Sequence, residues 1–145
     1  MSIGSVYETA YKGDFNQVKV KIDEDRTIVN IPDEVSVCMV AKVLIKYDAN
    51  VNDTDILKAT PLHRAAAQGR SNIVELLLSC PHINANACDS TGSTPLHAAC
   101  EEDREPVTVM LVKAGASMVL TNKEKKTPLD LCSSNLRRML TRLLE

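Results

Sequence analysis

A chain of 145 residues has room for one domain or one short array. Its formal charge of −2 at pH 7 sets up no global field toward nucleic acid or an acidic membrane face. An apolar fraction of 44% with one Phe, three Tyr and no Trp suits closely packed helices better than a β-sandwich.

The amino end, MSIGSVYETAYKGD, has no apolar h-region and departs from the myristoylation pattern, so neither a secretory signal nor N-myristoylation is expected. No apolar run approaches the ~18 residues of a membrane span. The cysteines, Cys38, Cys80, Cys88, Cys100 and Cys132, are odd in number and form no CxxC pair. Reduced thiols in cytosol or nucleus are the expectation. Cys80, His82, Cys88, His97 and Cys100 match no paired zinc spacing. The cysteines read as packing residues, with no metal and no cofactor.

In chain order, Val6, Ala10, Phe15, Val18 and Ile22 punctuate two short helical segments divided by Gly13, a capping helix pair over 1–33. Pro32 and Asp33 read as loop. Val35, Val37 and Val40, with Ser36 and Cys38, read as a weak strand or a helix extension. VAKVLIKYDANVND, from Val40, lines up with a second helix and its run-out, so 34–53 reads as a truncated repeat with the second helix only.

TPLHRAAAQG begins at Thr60, TPLHAACEED 34 residues later at Thr94, and TPLDLC 33 later at Thr127. Asp55, Asp89 and Asn122 each sit five residues upstream. Such a period marks repeats over 54–88 and 89–121 and a closing repeat over 122–145. Thr60 and Thr94 are expected to cap first helices, with Pro61, Pro95 and Pro128 in the first turn. His63 and His97 recur at the repeat period with no nucleophile or carboxylate placed beside them, so they read as braces bonded to neighbouring backbone rather than catalysts. Ala65, Ala66, Ala98 and Ala99 keep the first helices thin. Gly69 ends one helix in the left-handed conformation, and Asp103 stands at the equivalent place. Ile73, Leu76 and Leu77, then Val107, Met110 and Leu111, are expected as the buried stripes of the second helices, with Pro106 early in its helix. Residues 53–59, 87–93 and 121–126 are expected as turns projecting from one edge. In SNLRRMLTRLLE, Leu136, Met139, Leu140 and Leu143 share one face and Arg137, Arg138 and Arg142 lie elsewhere. That is a closing helix rather than a membrane or calmodulin-binding one.

A period of ~33 with Thr-Pro-Leu-His opening a helix resembles the ankyrin repeat. ATPLHRAAAQG, DSTGSTPLHAACEEDREPVTVMLVKAGAS and TNKEKKTPLDL, in order, with ETAYKGDFNQVK in the cap, resemble the gankyrin family within it. The likeness covers 5–33 and 40–145. It implies an all-α ankyrin-repeat solenoid of helix-turn-helix units with projecting β-turn loops. It also implies a non-enzymatic, monomeric assembly chaperone, cytoplasmic and nuclear, that holds the C-terminal domain of a proteasomal ATPase subunit. Cell-cycle regulators are further implied partners; nucleic acid and membrane are not. Family members carry about seven repeats, so two to three are expected to be missing between Glu34 and Val40. The family's Leu-x-Cys-x-Glu motif is matched only in part by Ala98-Ala99-Cys100-Glu101-Glu102, and no retinoblastoma-protein contact is expected through it. Ankyrin arrays bind with their turns and the exposed side of each first helix. This nominates Asp53, Asp55 and Lys58 on the first turn, Asp89 on the next, and Lys123, Lys125 and Lys126 on the last. On the helices it nominates Arg64, Gln68, Glu101 and Glu102, suited together to a mixed-charge partner.

Overall fold

The computed structural model describes residues 41, 42, 45 and 50–145; residues 41, 42 and 45 are helical. The expectations of a capping pair over 1–33 and of a strand or helix extension over 35–40 lie outside the described residues. Residues Val51–Glu145 form one compact unit. It holds six helices: α1 (Pro61–Gln68), α2 (Ser71–Leu78), α3 (Pro95–Glu101), α4 (Glu105–Lys113), α5 (Pro128–Leu131) and α6 (Ser134–Leu144). No strand occurs among the described residues.

Each first helix starts for the same local reason. Thr60, Thr94 and Thr127 sit in extended backbone (ψ 166°, 167° and 164°), and a proline with no N–H to satisfy takes the first helical position. The Thr60 and Thr94 hydroxyls each accept from the amide of the histidine three residues on, at 3.4 Å. At the third start Asp130 replaces that histidine, its carboxylate accepting from the Thr127 amide at 2.9 Å and hydroxyl at 2.8 Å.

Helix ends are equally local. Gly69 (φ 69°), Asp103 (φ 54°) and Gly115 (φ 90°) are left-handed, as the spacing anticipated for the first two. The Arg70 amide then reaches the Ala65 carbonyl at 3.0 Å and the Arg104 amide the Ala99 carbonyl at 2.8 Å, closing Schellman turns. A side chain at Gly69 would also collide with Arg104, whose Cδ lies 2.9 Å from where a Cβ would stand. Arg104 uses that close approach to donate from Nε to the Ala67 carbonyl at 3.0 Å, tying the second helix pair to the first.

The first helices stand in a row, α1 against α3 and α3 against α5, and α2 packs against α4 behind them. Between the rows lies an aliphatic core: Leu62, Ala66, Val74, Leu96, Ala99, Val107 and Leu111 are each completely buried. The stripe of α2 is turned from the expected one. Val74 and Leu77 are buried while Ile73 and Leu76 are only half-buried, because the face that α2 turns to α1 and α4 is centred on Val74 and Leu77. In α4, Val107 and Leu111 are buried as expected and Met110 is half-buried. Thr108 takes the remaining buried place, its hydroxyl donating to the Arg104 carbonyl at 2.8 Å. Leu136 and Leu140 are buried in α6 and Met139 half-buried, but Leu143 is 49% exposed. Helix α6 has 11 residues against four in α5, so its last turn runs past the helix to which Arg137 ties it.

Candidate protein-interaction surface

Three turns build the edge, each organised by an Asp or Asn side chain. Asp55 Oδ1 accepts from the Leu57 and Ala59 amides (2.8 and 3.0 Å). Asp89 Oδ1 accepts from the Thr91 and Ser93 amides (2.8 and 3.0 Å). Asn122 Oδ1 accepts from the Glu124 and Lys126 amides (2.9 and 3.1 Å). These are Asx turns, in which a short polar side chain replaces a backbone acceptor. The fourth residue of each turn is left-handed: Lys58 (φ 57°), Gly92 (φ 75°) and Lys125 (φ 61°). Gly92 is needed twice over, because a Cβ there would stand 3.2 Å from the Lys123 amide nitrogen of the following turn.

Neighbouring turns are bonded to one another. The Ser90 amide donates to the Leu57 carbonyl at 2.8 Å, and the Lys123 amide to the Thr91 carbonyl at 2.9 Å. The histidines complete the fastening. In His63, Nδ1 faces the Thr60 amide at 3.1 Å, which can only donate, so the ring proton is on Nε2. That nitrogen donates to the Ser93 carbonyl of the next turn at 2.9 Å. His97 repeats this with Thr94 (3.1 Å) and the Lys126 carbonyl (3.1 Å). The braces therefore reach neighbouring backbone, as expected, and also span repeats. Two asparagines clip the opposite run-outs: Asn52 Oδ1 accepts from the Asn84 amide and Asn86 Oδ1 from the Ser117 amide, both at 2.8 Å.

Burial lowers the pKa of His97, with the bond to the Lys126 carbonyl opposing. The unfolded ring titrates near 6.5. Below that pH the unfolded chain binds more protons, so the contribution of the neutral ring is intact above 6.5 and declines as the pH falls below it. It levels off once the pH passes beneath the folded value. The melting temperature should therefore drop on acidification below pH 6.5. In His97→Gln, which keeps a neutral capping-box side chain, that part of the drop should be absent.

The nominated residues fall into three groups. Asp53 and Lys58 are exposed on the first turn, Gln68 on α1, Glu101 and Glu102 at the end of α3, and Lys123, Lys125 and Lys126 on the last turn. Asp55 and Arg64 meet in an ion pair, Arg64 Nη2 lying 2.6 Å from Oδ2. The donating Arg64 guanidinium, more than the Ala59 and Leu57 amides, holds the Asp55 carboxyl below the ordinary carboxylate range. Asp89 is turned into its own loop. Burial alone would raise its pKa, but the Thr91 hydroxyl and the amides of Thr91 and Ser93 outweigh that and lower it. Lys126 pairs with Glu124 at 2.9 Å, and Gln68 accepts from Arg70 Nε at 2.8 Å. Among the exposed apolar residues not nominated are Ile56 and Leu57, 98% and 51% exposed at the tip of the first turn. Their signal is plain in DTDILKAT, an apolar pair inside an otherwise polar turn.

Lys125 makes one stability test available. A β-carbon in the left-handed region is strained, and no further turn follows to crowd the site. Lys125→Gly is expected to raise stability by about 0.5–1 kcal/mol, seen as a higher urea midpoint. An unchanged or lower midpoint would mean that the left-handed lysine carries no net strain.

Among the described residues, no three His, Cys, Asp or Glu side chains converge as for a metal ion. Cys100 is buried, and burial, with Cys132 beside it, pushes its thiol pKa up, away from nucleophilic use. The arrangement offers an extended, bonded edge of charged and apolar tips and no enclosed catalytic constellation among the described residues. The family model of ankyrin repeats (three copies) matches residues 35–122. No curated protein matches the chain.

Proposed function

The chain belongs to the ankyrin-repeat family, and from that premise we propose that it is a gankyrin-like, non-enzymatic assembly chaperone. Its turn edge and first helices would hold the C-terminal domain of a proteasomal ATPase subunit. Ankyrin repeats are protein–protein interaction modules. The observation that carries the choice of surface is the pair of left-handed lysines, Lys58 and Lys125, at a turn position that Gly92 fills in the middle turn. A lysine there is held against its backbone preference, and such strain concentrates at binding positions. Beside them Ile56 supplies an exposed apolar anchor. Lys123 adds positive charge at one end of the edge, and Asp53, Glu101 and Glu102 negative charge elsewhere.

The ATPase partner rests on the resemblance of the TPLH, TPLH and TPLD stretches and the cap to gankyrin. The proposal includes repeat units at 54–88, 89–121 and 122–145, a monomer, action in cytoplasm and nucleus, and cell-cycle regulators as secondary partners. Mixed with the purified C-terminal domain of the ATPase subunit, the chain should co-elute from a sizing column as an equimolar complex. Separate elution at low and moderate salt would leave it an ankyrin module for some other regulatory protein.

A further inference from the structure

The outer face of α6 takes no part in the turn edge. Leu136 and Leu140 point into the core, which leaves Arg138, Thr141, Arg142 and Glu145 exposed along the other side. With Ser134 and Arg137 they line an open trough of about 460 Å³. Arg137 is already committed: Nε and Nη2 both donate to the Leu129 carbonyl, at 2.9 and 2.7 Å, fixing its guanidinium at the wall. Thr141 is held by its bond to the Arg137 carbonyl at 2.9 Å. Arg138 and Arg142 make no hydrogen bond or ion pair among the described residues. Four residues apart, they stand on one helix face with their Cβ atoms about 6 Å apart, a like-charge arrangement mildly unfavourable without a counter-charge.

We propose that this face of α6 is a docking site for an acidic segment of a protein partner, gripped by Arg138 and Arg142. Two planar forks carried one helical turn apart can each take a carboxylate of an acidic segment in a bidentate pair. Glu145 lies at one end of the trough. A membrane surface fits less well, because an interfacial helix must present its apolar face and that of α6 is packed inward. Nucleic acid fits less well too: the whole chain is net negative, and two arginines on one turn neutralise few phosphates. The site stands independently of the ATPase reading, since none of its residues lies on the turn edge.

The test uses the full chain and a fluorescein-labelled, Glu-rich dodecapeptide, followed by fluorescence anisotropy beside its Gln counterpart. The Glu peptide should bind, weaken on adding salt, and lose about tenfold or more in affinity to Arg138→Ala/Arg142→Ala, while the Gln peptide stays unbound. The melting temperature of the double variant should be unchanged, and Lys123→Ala/Lys125→Ala should bind the peptide like the parent chain. No binding of the Glu peptide at low salt would overturn the proposal. So would equal affinity in the arginine variant, or tighter arginine-dependent binding to phosphatidylserine vesicles or duplex DNA.

Discussion

Leu96→Ala should cost about 2–5 kcal/mol and give the largest loss of any single truncation in the array. Leu96 is completely buried, and its helix α3 packs against three others, α1, α4 and α5. A cavity there is lined on several sides and cannot collapse without moving both neighbouring pairs. In a repeat array stability is the sum of units and nearest-neighbour interfaces, so loosening the middle unit weakens two interfaces at once. Chemical denaturation of the variant measures the loss. Leu143→Ala, at the 49% exposed end of α6, is the control and should stay within about 0.5 kcal/mol of the parent. Equal effects at the two positions would contradict the packing described.

His97→Ala should destabilise by about 2–4 kcal/mol, more than its volume suggests. The ring accepts from the buried Thr94 amide at 3.1 Å and donates to the Lys126 carbonyl at 3.1 Å. Truncation strands both groups, and an unsatisfied buried donor alone costs about 1–3 kcal/mol. The last turn also loses its tie to α3, so hydrogen exchange at the Lys123 and Lys126 amides should accelerate along with that of Thr94. His97→Gln should recover the capping part, because Gln at this position can accept from the Thr94 amide. If His97→Ala left the Lys123 and Lys126 amides as protected as before, the ring would be a local cap and not an inter-repeat fastener.

The parts of the fold legible in the sequence are the ones decided within a few residues and repeated. Thr-Pro starts, left-handed Gly69 and Asp103, and the packing of Cys100 need only local letters and the period. The phase of α2 was not legible, because whether Ile73 or Val74 is the more buried depends on how the helix is turned against α1 and α4. The second bond of each histidine was hidden for a different reason: its acceptor lies about 30 residues away and is a bare carbonyl. Asp55, Asp89 and Asn122 showed as a period, but not as side chains folded into their own turns. Lys58 and Lys125 gave no turn signal, since lysine is not a residue of left-handed turns; only their register with Gly92 discloses them.

The central claim is that the turns of the array carry a partner-binding edge. Its most direct test is a calorimetric titration of the chain with the C-terminal domain of the proteasomal ATPase subunit. It is run at several temperatures, because binding heat passes through zero at some temperature. The same titration is repeated with Lys58→Ala/Lys123→Ala/Lys125→Ala. The account predicts saturable binding to the parent chain and an affinity lower by about tenfold or more in the variant. No heat at any temperature, or the same affinity in both chains, would contradict it.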